Sequence, residues 1–503
     1  MAKTEQRTGG VTQLTPQDAE FVYNDGERLN SNSTGVHFFD TTGEAHPITH
    51  EEALEWMRDR LGLSSIFTHR LQRVPLELDY PYWVRDEAFD LARHVHVEPV
   101  EGPGWNALRR HVSRITAGRI DLRRPPWEIH FLTGVTGIEG LPDRMTVAIW
   151  RSHHAAGDGL SSRDLCARLF SSDRASAPPA PPHAAPSRLT LFRNAVAAFP
   201  ANWRNFRRGL AFTGEAANRV AAQVASGQIV EPPEARPATR FNAGITPDLT
   251  FDVVTFDSTR IRAVQSALGD VTFNDILLAT ISGAMGAYLQ EQSETPDGSL
   301  AAMVPMSLRG TRKGVSTTQD RRANHLALMT VDLHTDISDP ISRVRAIRRS
   351  ANLEKWRHRN ADVQAAASRI DTSPAWLLHL VGRVLVRRRI RSPRSQRYNT
   401  MISNIPWTGD TGMLRGAPAV WGFGLLGIVD GDGLRHLIIS RTDDEIQLSF
   451  CADTAMLPDT DRYRHLLLAS FDELVTSASA FENQSERPES GTRGELPKSP
   501  RIM

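Results

Sequence analysis

Five prolines fall within one stretch of small and polar residues, Ser172 to Ser187 (SDRASAPPAPPHAAPS), and this stretch limits the possible folds of the chain more than any other. Proline lacks an amide hydrogen and has a fixed φ, so such a segment neither continues a helix nor enters a sheet interior. The 503 residues must therefore build their cores on either side of a linker, as the usual size of domains also suggests. A second break comes at Pro232, Pro233 and Pro237, and the intervening Leu189 to Val224 is helical in character with a local basic patch at Arg204, Arg207 and Arg208. The expected division is a first domain over 1–171, a linker and helical crossover over 172–240, a second domain over 241–480 and a disordered tail over 481–503.

Both halves mix strand and helix patterns. Thr15-Pro16-Gln17-Asp18 reads as a helix start with proline at the first turn, and Thr49-His50-Glu51-Glu52 as a capping box. Trp105, Leu108, Val112 and Ile115 have helical spacing, whereas Val36–Phe39, His94–Val97, Glu128–Leu132 and Met145–Ser152 are short runs rich in β-branched and aromatic residues. The second half repeats this mixture, with strand candidates at Ala301–Val304, Leu326–Leu333, Leu434–Ser440 and Glu445–Cys451 and helices near Thr272–Glu291, Pro340–Arg349 and Asp459–Thr476. An α/β fold with sheets covered by helices follows.

Lys plus Arg number 59 against 58 Asp plus Glu, so no overall field favours nucleic acid. The two cysteines, Cys166 and Cys451, have neither disulfide-scaffold nor metal spacing. The opening MAKTEQRTGGVTQLTPQD lacks the apolar core of a signal peptide, and no run nears the roughly 20 apolar residues of a membrane span. The expected location is the cytoplasm. In Trp376 to Arg397, apolar residues run into seven arginines. That pattern suits a helix with a solvated basic face, or peripheral contact of the 383–397 segment with an inner membrane surface or lipid droplet.

The chemistry concentrates in His153-His154-Ala155-Ala156-Gly157-Asp158-Gly159, between the Met145–Ser152 strand and a segment with helical spacing at Leu165, Cys166, Leu169 and Phe170. Acyl transfer from a thioester to a hydroxyl needs a group that takes the alcohol's proton and returns one to the departing thiolate. An imidazole, ordinarily titrating near about 6.5, is suited to both steps. Adjacent side chains in a strand-to-helix loop diverge, so one histidine can face a channel while the other packs inward; His154 is assigned to the channel. Asp158 followed by Gly159 suits a tight turn that fixes the loop. No G-x-S-x-G elbow or activated cysteine is present, which favours direct attack without an acyl-enzyme. Thr272 and Asp275 form a second capping box, placing Asn274 in a first helical turn where free N–H groups could serve an oxyanion or simply start the helix.

With these residues the sequence resembles the wax ester synthase/diacylglycerol acyltransferase family, within the acyl-CoA-dependent acyltransferases of chloramphenicol acetyltransferase fold. The likeness extends to Leu14-Thr15-Pro16-Gln17-Asp18, to Trp83, Asp86, Phe89-Asp90-Leu91 and His94-Val95, and to Arg124-Pro125-Pro126-Trp127-Glu128. It continues through Asn274-Asp275, Val304-Pro305-Met306-Ser307-Leu308-Arg309 and Ser403-Asn404, spanning residues 14 to 478. The resemblance implies two chloramphenicol acetyltransferase-like domains, each a mixed sheet covered by helices, flanking a substrate tunnel. It implies His154 as base, supported by His153, Asp158 and Gly159, with Asn274, Asp275, Trp127, Ser403 and Asn404 binding substrate or supporting the oxyanion. Acyl-CoA would be the co-substrate, with diacylglycerol or a long-chain alcohol as acceptor and no cofactor or metal. Pro126 in place of leucine, Ile405-Pro406-Trp407-Thr408-Gly409 in place of Val-Pro-Gly-Pro, and a stretch near Asn242 that lacks the family's arginine-rich pattern bear on the acceptor. A secondary-metabolite alcohol and a non-catalytic lipid-binding role stand as alternatives.

Two weaker signals are set aside. Gly422, Gly424 and Gly427 fit G-x-G-x-x-G, but Ile428-Val429-Asp430-Gly431 is a turn where a phosphate-binding helix should start. His94 and His96 alternate on one strand and lack further ligands in sequence, so structural roles are expected.

Overall fold

The computed structural model describes residues 11–26, 29–157, 159–171, 185–233, 235–307, 326–389, 396–406, 412–440 and 445–485. Two six-stranded sheets dominate it. The first runs in the order Met413–Leu414, Ala417–Leu426, Asn32–Asp40, Met145–His153, Trp127–Val135 and Val95–Pro99, antiparallel except for the last pair. Its Met145–His153 strand is buried along its whole length, which accounts for the unbroken apolar run Val147–Trp150 at its centre. Apolar clusters fill both faces. One holds Trp56, Phe67, Trp127 and Trp150, and the other Phe38, Leu108, Val112 and Phe423. Each such side chain contributes on the order of 1.5–3 kcal/mol by leaving water.

The second sheet runs Leu326–Asp332, Ala301–Ser307, Thr400–Pro406, Leu434–Ser440, Glu445–Asp453 and Leu249–Asp257. It is mixed, because Thr400–Pro406 lies parallel to both of its neighbours. The helices Ser258–Leu268, Phe273–Glu291, Pro340–Arg359 and Thr460–Ser485 cover it. Helix Phe273–Glu291 starts where Thr272 and Asp275 complete their capping box, and it buries twelve side chains, Ile276, Leu277 and Ile281 among them. A separate three-stranded sheet joins Thr12–Gln13, Tyr82–Arg85 and His69–Gln72.

The linear division into 1–171 and 241–480 does not follow the sheets. The Ala417–Leu426 strand crosses from the second half and completes the first sheet on Asn32–Asp40. Phe423 and Leu425 there bury against Val36 and Phe38, a partnership that the strand's own hydrophobic pattern cannot specify. The halves also share a core: helix Trp105–Ala117 packs on strand Leu249–Asp257, with Trp105 Nε1 donating to Asp252 at 3.0 Å and Arg109 pairing with it at 3.1 Å.

The crossover is one long helix, Arg188–Ala225, capped by Ser187 and containing Pro200. The final helix runs through Ser485, so the first residues assigned to a disordered tail are helical. Residues 172–184, Leu308, Arg309, Trp407–Gly409 and the later part of the tail lie outside the described residues. Among the described residues no helix is long and apolar enough to cross a membrane.

Candidate active site

The Met145–His153 strand ends in a single 3-10 turn, His154–Ala156, before helix Gly159–Leu169. Three hydrogen bonds fix that turn. The His153 amide donates to the Pro126 carbonyl at 3.0 Å, the His154 amide to the Ser31 carbonyl at 2.8 Å, and the Ala155 amide to His153 Nδ1 at 3.1 Å. The Arg124–Glu128 segment therefore serves the motif through the backbone of Pro126. Gly159 opens the following helix, and Asp158 lies outside the described residues.

The two histidines have different surroundings. His153 is 1% exposed, and its Nδ1 accepts a hydrogen bond, so the neutral ring carries its proton on Nε2. Burial, then the neighbouring His154 and Arg119, push its pKa down to about 3. Its Nε2 lies 3.9 Å from Asp25, whose carboxyl pKa is raised by burial while Arg119, 2.7 Å away, opposes the shift. His154 is half-buried. Its ring stacks on Phe21 with centroids 5.3 Å apart, and Ser33 Oγ lies 3.2 Å from its Nε2. A ring braced in this way can accept and return a proton while keeping one orientation. Sequence reasoning missed Phe21 and Ser33. Ser33 is marked only by strand register, which places it opposite Ser152, two residues before His154.

On the second sheet, Asn404 Nδ2 donates to Asn274 Oδ1 at 2.6 Å. Because Asn404 occupies that oxygen, the Asn274 amide nitrogen remains as a donor at the start of its helix. Ser403 lies beside this pair, in register with Leu437. Asp275 has a different role, for it is 1% exposed, closes the capping box with Thr272 and pairs with Arg348 at 3.1 Å. It therefore braces the helix and does not line a binding surface. Trp127 does not line one either. It is wholly buried between the rings of His94 and Trp150, and its Nε1 donates to the Phe67 carbonyl at 3.1 Å.

An apolar cluster adjoins the histidine turn. Leu426, opposite Ser33 in the first sheet, packs with Leu437, Ile439 and Ile405 of the second. Cross-strand partners project to the same face, so this cluster adjoins Ser33 and with it His154. Ile405 is the residue after Asn404, and alternation puts their side chains on opposite faces of that strand. The glycines of the G-x-G-x-x-G run belong to this junction: a Cβ on Gly424 would meet Leu437 at 2.7 Å, and one on Gly427 the Asn30 carbonyl at 2.8 Å. His94 bonds the Trp127 carbonyl at 2.8 Å and His96 stacks on His130, so both have packing partners.

Two helix-covered mixed sheets sharing an exchanged strand, with a histidine turn at the end of a buried strand, define a protein of chloramphenicol acetyltransferase-like fold. The profile of the wax ester synthase/diacylglycerol acyltransferase catalytic domain matches residues 14–277, and that of the family's C-terminal domain residues 323–475, so the chain belongs to this family of acyl-CoA-dependent acyltransferases. A Mycobacterium tuberculosis protein named as a putative diacylglycerol O-acyltransferase is 25% identical over 487 residues, covering 95% of this chain and 99% of its own. A Mycobacterium bovis protein so named is 28% identical over 410 residues, covering 79% and 84%. In fold, the chain is similar to the wax ester synthase/diacylglycerol acyltransferase of Marinobacter aquaeolei, with a TM-score of 0.61 at 22% identity over 93% of this chain and all of that one. The trichothecene 15-O-acetyltransferase of Fusarium sporotrichioides gives a TM-score of 0.58 at 14% identity, covering 94% and 97%. Membership in an enzyme family removes the non-catalytic alternative.

Proposed function

We propose that this protein transfers a long-chain acyl group from acyl-CoA to diacylglycerol or a long-chain alcohol, with His154 as general base. The observation that supports this reading best is the division of labour between the two histidines. His153 is buried, neutral and committed to holding the turn, while His154 presents a half-buried ring steadied by Phe21 and Ser33.

In the proposed reaction the acceptor hydroxyl gives its proton to His154 as its oxygen attacks the thioester carbonyl. The carbonyl electrons move onto oxygen, and the Asn274 amide donates to that developing oxyanion. Collapse breaks the carbon–sulfur bond, and the proton on His154 passes to the thiolate. Ester and free CoA leave. No covalent acyl-enzyme forms, and the reaction consumes no cofactor. The Leu426, Leu437, Ile439 and Ile405 cluster suits the apolar part of a lipid substrate.

The test is thiol release from palmitoyl-CoA with dioleoylglycerol, with hexadecanol or with no acceptor, comparing the wild type with His154→Ala and identifying products by mass. Acceptor-dependent release that is lost in the variant supports the reading. Equal turnover by the variant would overturn the role of His154. Silence with both lipids would overturn the acceptor class and direct attention to smaller alcohols.

A further inference from the structure

The crossover helix Arg188–Ala225 has an exposed face unlike that of an ordinary surface helix. Leu189, Val196, Phe199 and Trp203 are all exposed, Leu189 to 67%. Their spacing of seven, three and four residues puts them on one stripe. The buried residues of the helix, Leu191, Ala195, Phe206, Thr213 and Ala216, border this stripe along one side, where Phe206 packs on the inner part of Trp203 with centroids 5.5 Å apart. Phe199 and Trp203 stack parallel at the surface, with centroids 6.4 Å apart.

Charge along the part of this helix before Glu215 has a single sign. Arg188, Arg193, Arg204, Arg207 and Arg208 precede its first carboxylate, Glu215. At 100° per residue Arg193, Arg204 and Arg207 fall on or beside the apolar stripe. Five arginines with no acidic residue in their stretch of helix repel one another and any basic surface. They complement an anionic one.

Two neighbouring elements share this character. The turn Pro75–Glu77 touches both the crossover helix and helix Ala375–Arg389, and it holds Leu76 at φ 58° with 78% of the residue exposed. A leucine is rarely held in the left-handed region, and here the strain goes to presenting its side chain to solvent. Helix Ala375–Arg389 exposes Leu380, Val381 and Val384 around Arg383 and has no acidic residue. It packs on helix Pro16–Asn24, whose Phe21 stacks on His154.

From this juxtaposition of an aromatic stripe, an exposed leucine turn and a run of arginines, we propose that the crossover helix is an interfacial helix that seats the enzyme on an anionic phospholipid bilayer. Trp203, Phe199, Val196 and Leu189 enter the acyl boundary and the arginines lie among the headgroups. The docking site is thus centred on residues 188–212, with helix Ala375–Arg389 as its flank. One helix, Pro16–Asn24, then separates that flank from His154. The surface stands independently of the proposed acceptor, and only the delivery of lipid from it to His154 rests on that reading.

The experiment is flotation of the full-length protein with phosphatidylcholine vesicles, with and without phosphatidylglycerol, for the wild type, Val196→Ser/Trp203→Ser and Arg193→Gln/Arg204→Gln/Arg207→Gln. Circular dichroism and turnover of a water-soluble short-chain alcohol are measured in parallel. The wild type should float with phosphatidylglycerol vesicles and detach in high salt. The arginine triple variant should bind them roughly a hundredfold more weakly, at about tenfold for each 1.4 kcal/mol and about 1 kcal/mol per charge. The stripe variant should stay at the bottom of the gradient with its soluble turnover unchanged. A wild type that ignores both vesicles, or a stripe variant that floats as well as the wild type, overturns the proposal. So does a wild-type dimer in sedimentation that Val196→Ser/Trp203→Ser splits without any flotation, since the stripe would then join two copies. Flotation intact with no soluble turnover would leave the surface standing and count against the acyltransfer reading.

Discussion

Ser33 Oγ lies 3.2 Å from Nε2 of His154, and this contact joins residues 121 positions apart through the register of two adjacent strands. If the hydroxyl orients the ring, Ser33→Ala should lower kcat roughly three- to tenfold with little change in KM. Loss of the imidazole itself in His154→Ala should cost about 10²–10⁴ in kcat, the usual worth of a general base. Steady-state kinetics of both variants check this. Equal losses in the two would show that Ser33 takes part in the chemistry and not only in orientation.

Asn274 is expected to act on kcat. With its Oδ1 held by Asn404, its amide nitrogen is the available donor, so Asn274→Ala should lower kcat by roughly ten- to a hundredfold while KM moves less than about threefold. Asn274→Asp should be at least as damaging, because a carboxylate would face the developing oxyanion. A change confined to KM would assign the residue to substrate binding.

Trp127 should matter for stability and not for substrate affinity. Trp127→Phe removes an N–H that satisfies the buried Phe67 carbonyl and leaves space between His94 and Trp150. A cost of about 2 kcal/mol is expected. The denaturant midpoint should fall while the KM for acyl-CoA stays within about twofold of wild type.

Acid should destabilise the fold through buried histidines. Burial pushes the pKa of His153 and of the wholly buried His436 down to about 3, whereas in the unfolded chain both titrate near about 6.5. Between those values the unfolded state binds more protons, so stability is fully present above about pH 6.5 and declines as the pH falls toward about 3. Charging each ring on acidification costs the fold on the order of 5 kcal/mol across the full window. Thermal unfolding from about pH 7.5 to about pH 4.5 should show a falling Tm, and a flat profile would contradict the burial of these rings.

Gly427 should tolerate no side chain. Its Cβ would meet the Asn30 carbonyl at 2.8 Å, and the carbonyl of the next residue, Ser31, accepts the His154 amide. Gly427→Ala should therefore cost about 1–3 kcal/mol by overpacking and lower kcat through the displaced turn. Gly424→Ala meets chiefly the flexible ends of the Leu437 and Ile439 side chains and should be milder. A midpoint and kcat comparison of the two variants separates backbone displacement from side-chain crowding.

Local physics makes much of this protein legible in the chain itself. Backbone hydrogen bonding and burial act over a few residues, so the Met145–His153 strand, the Thr272–Asp275 capping box and the long crossover helix are all written in nearby sequence. The proline stretch ending near Ser187 and the pair His153-His154 are likewise local, and the second yields the candidate base and its chemistry. Partner choice is not local. The hydrophobic alternation of Ala417–Leu426 would fit an edge of either sheet, and only closure of both cores places it on Asn32–Asp40. Burial follows the same logic: Trp127 and Asp275 sit in motifs that resemble binding surfaces, yet neighbours distant in sequence enclose both. Ser33 and Phe21 carry no motif at all. Sequence determined which segments form strands and helices and which imidazole could do the chemistry; long-range packing alone decided what stands beside that imidazole, because strand register and core closure depend on residues far apart along the chain.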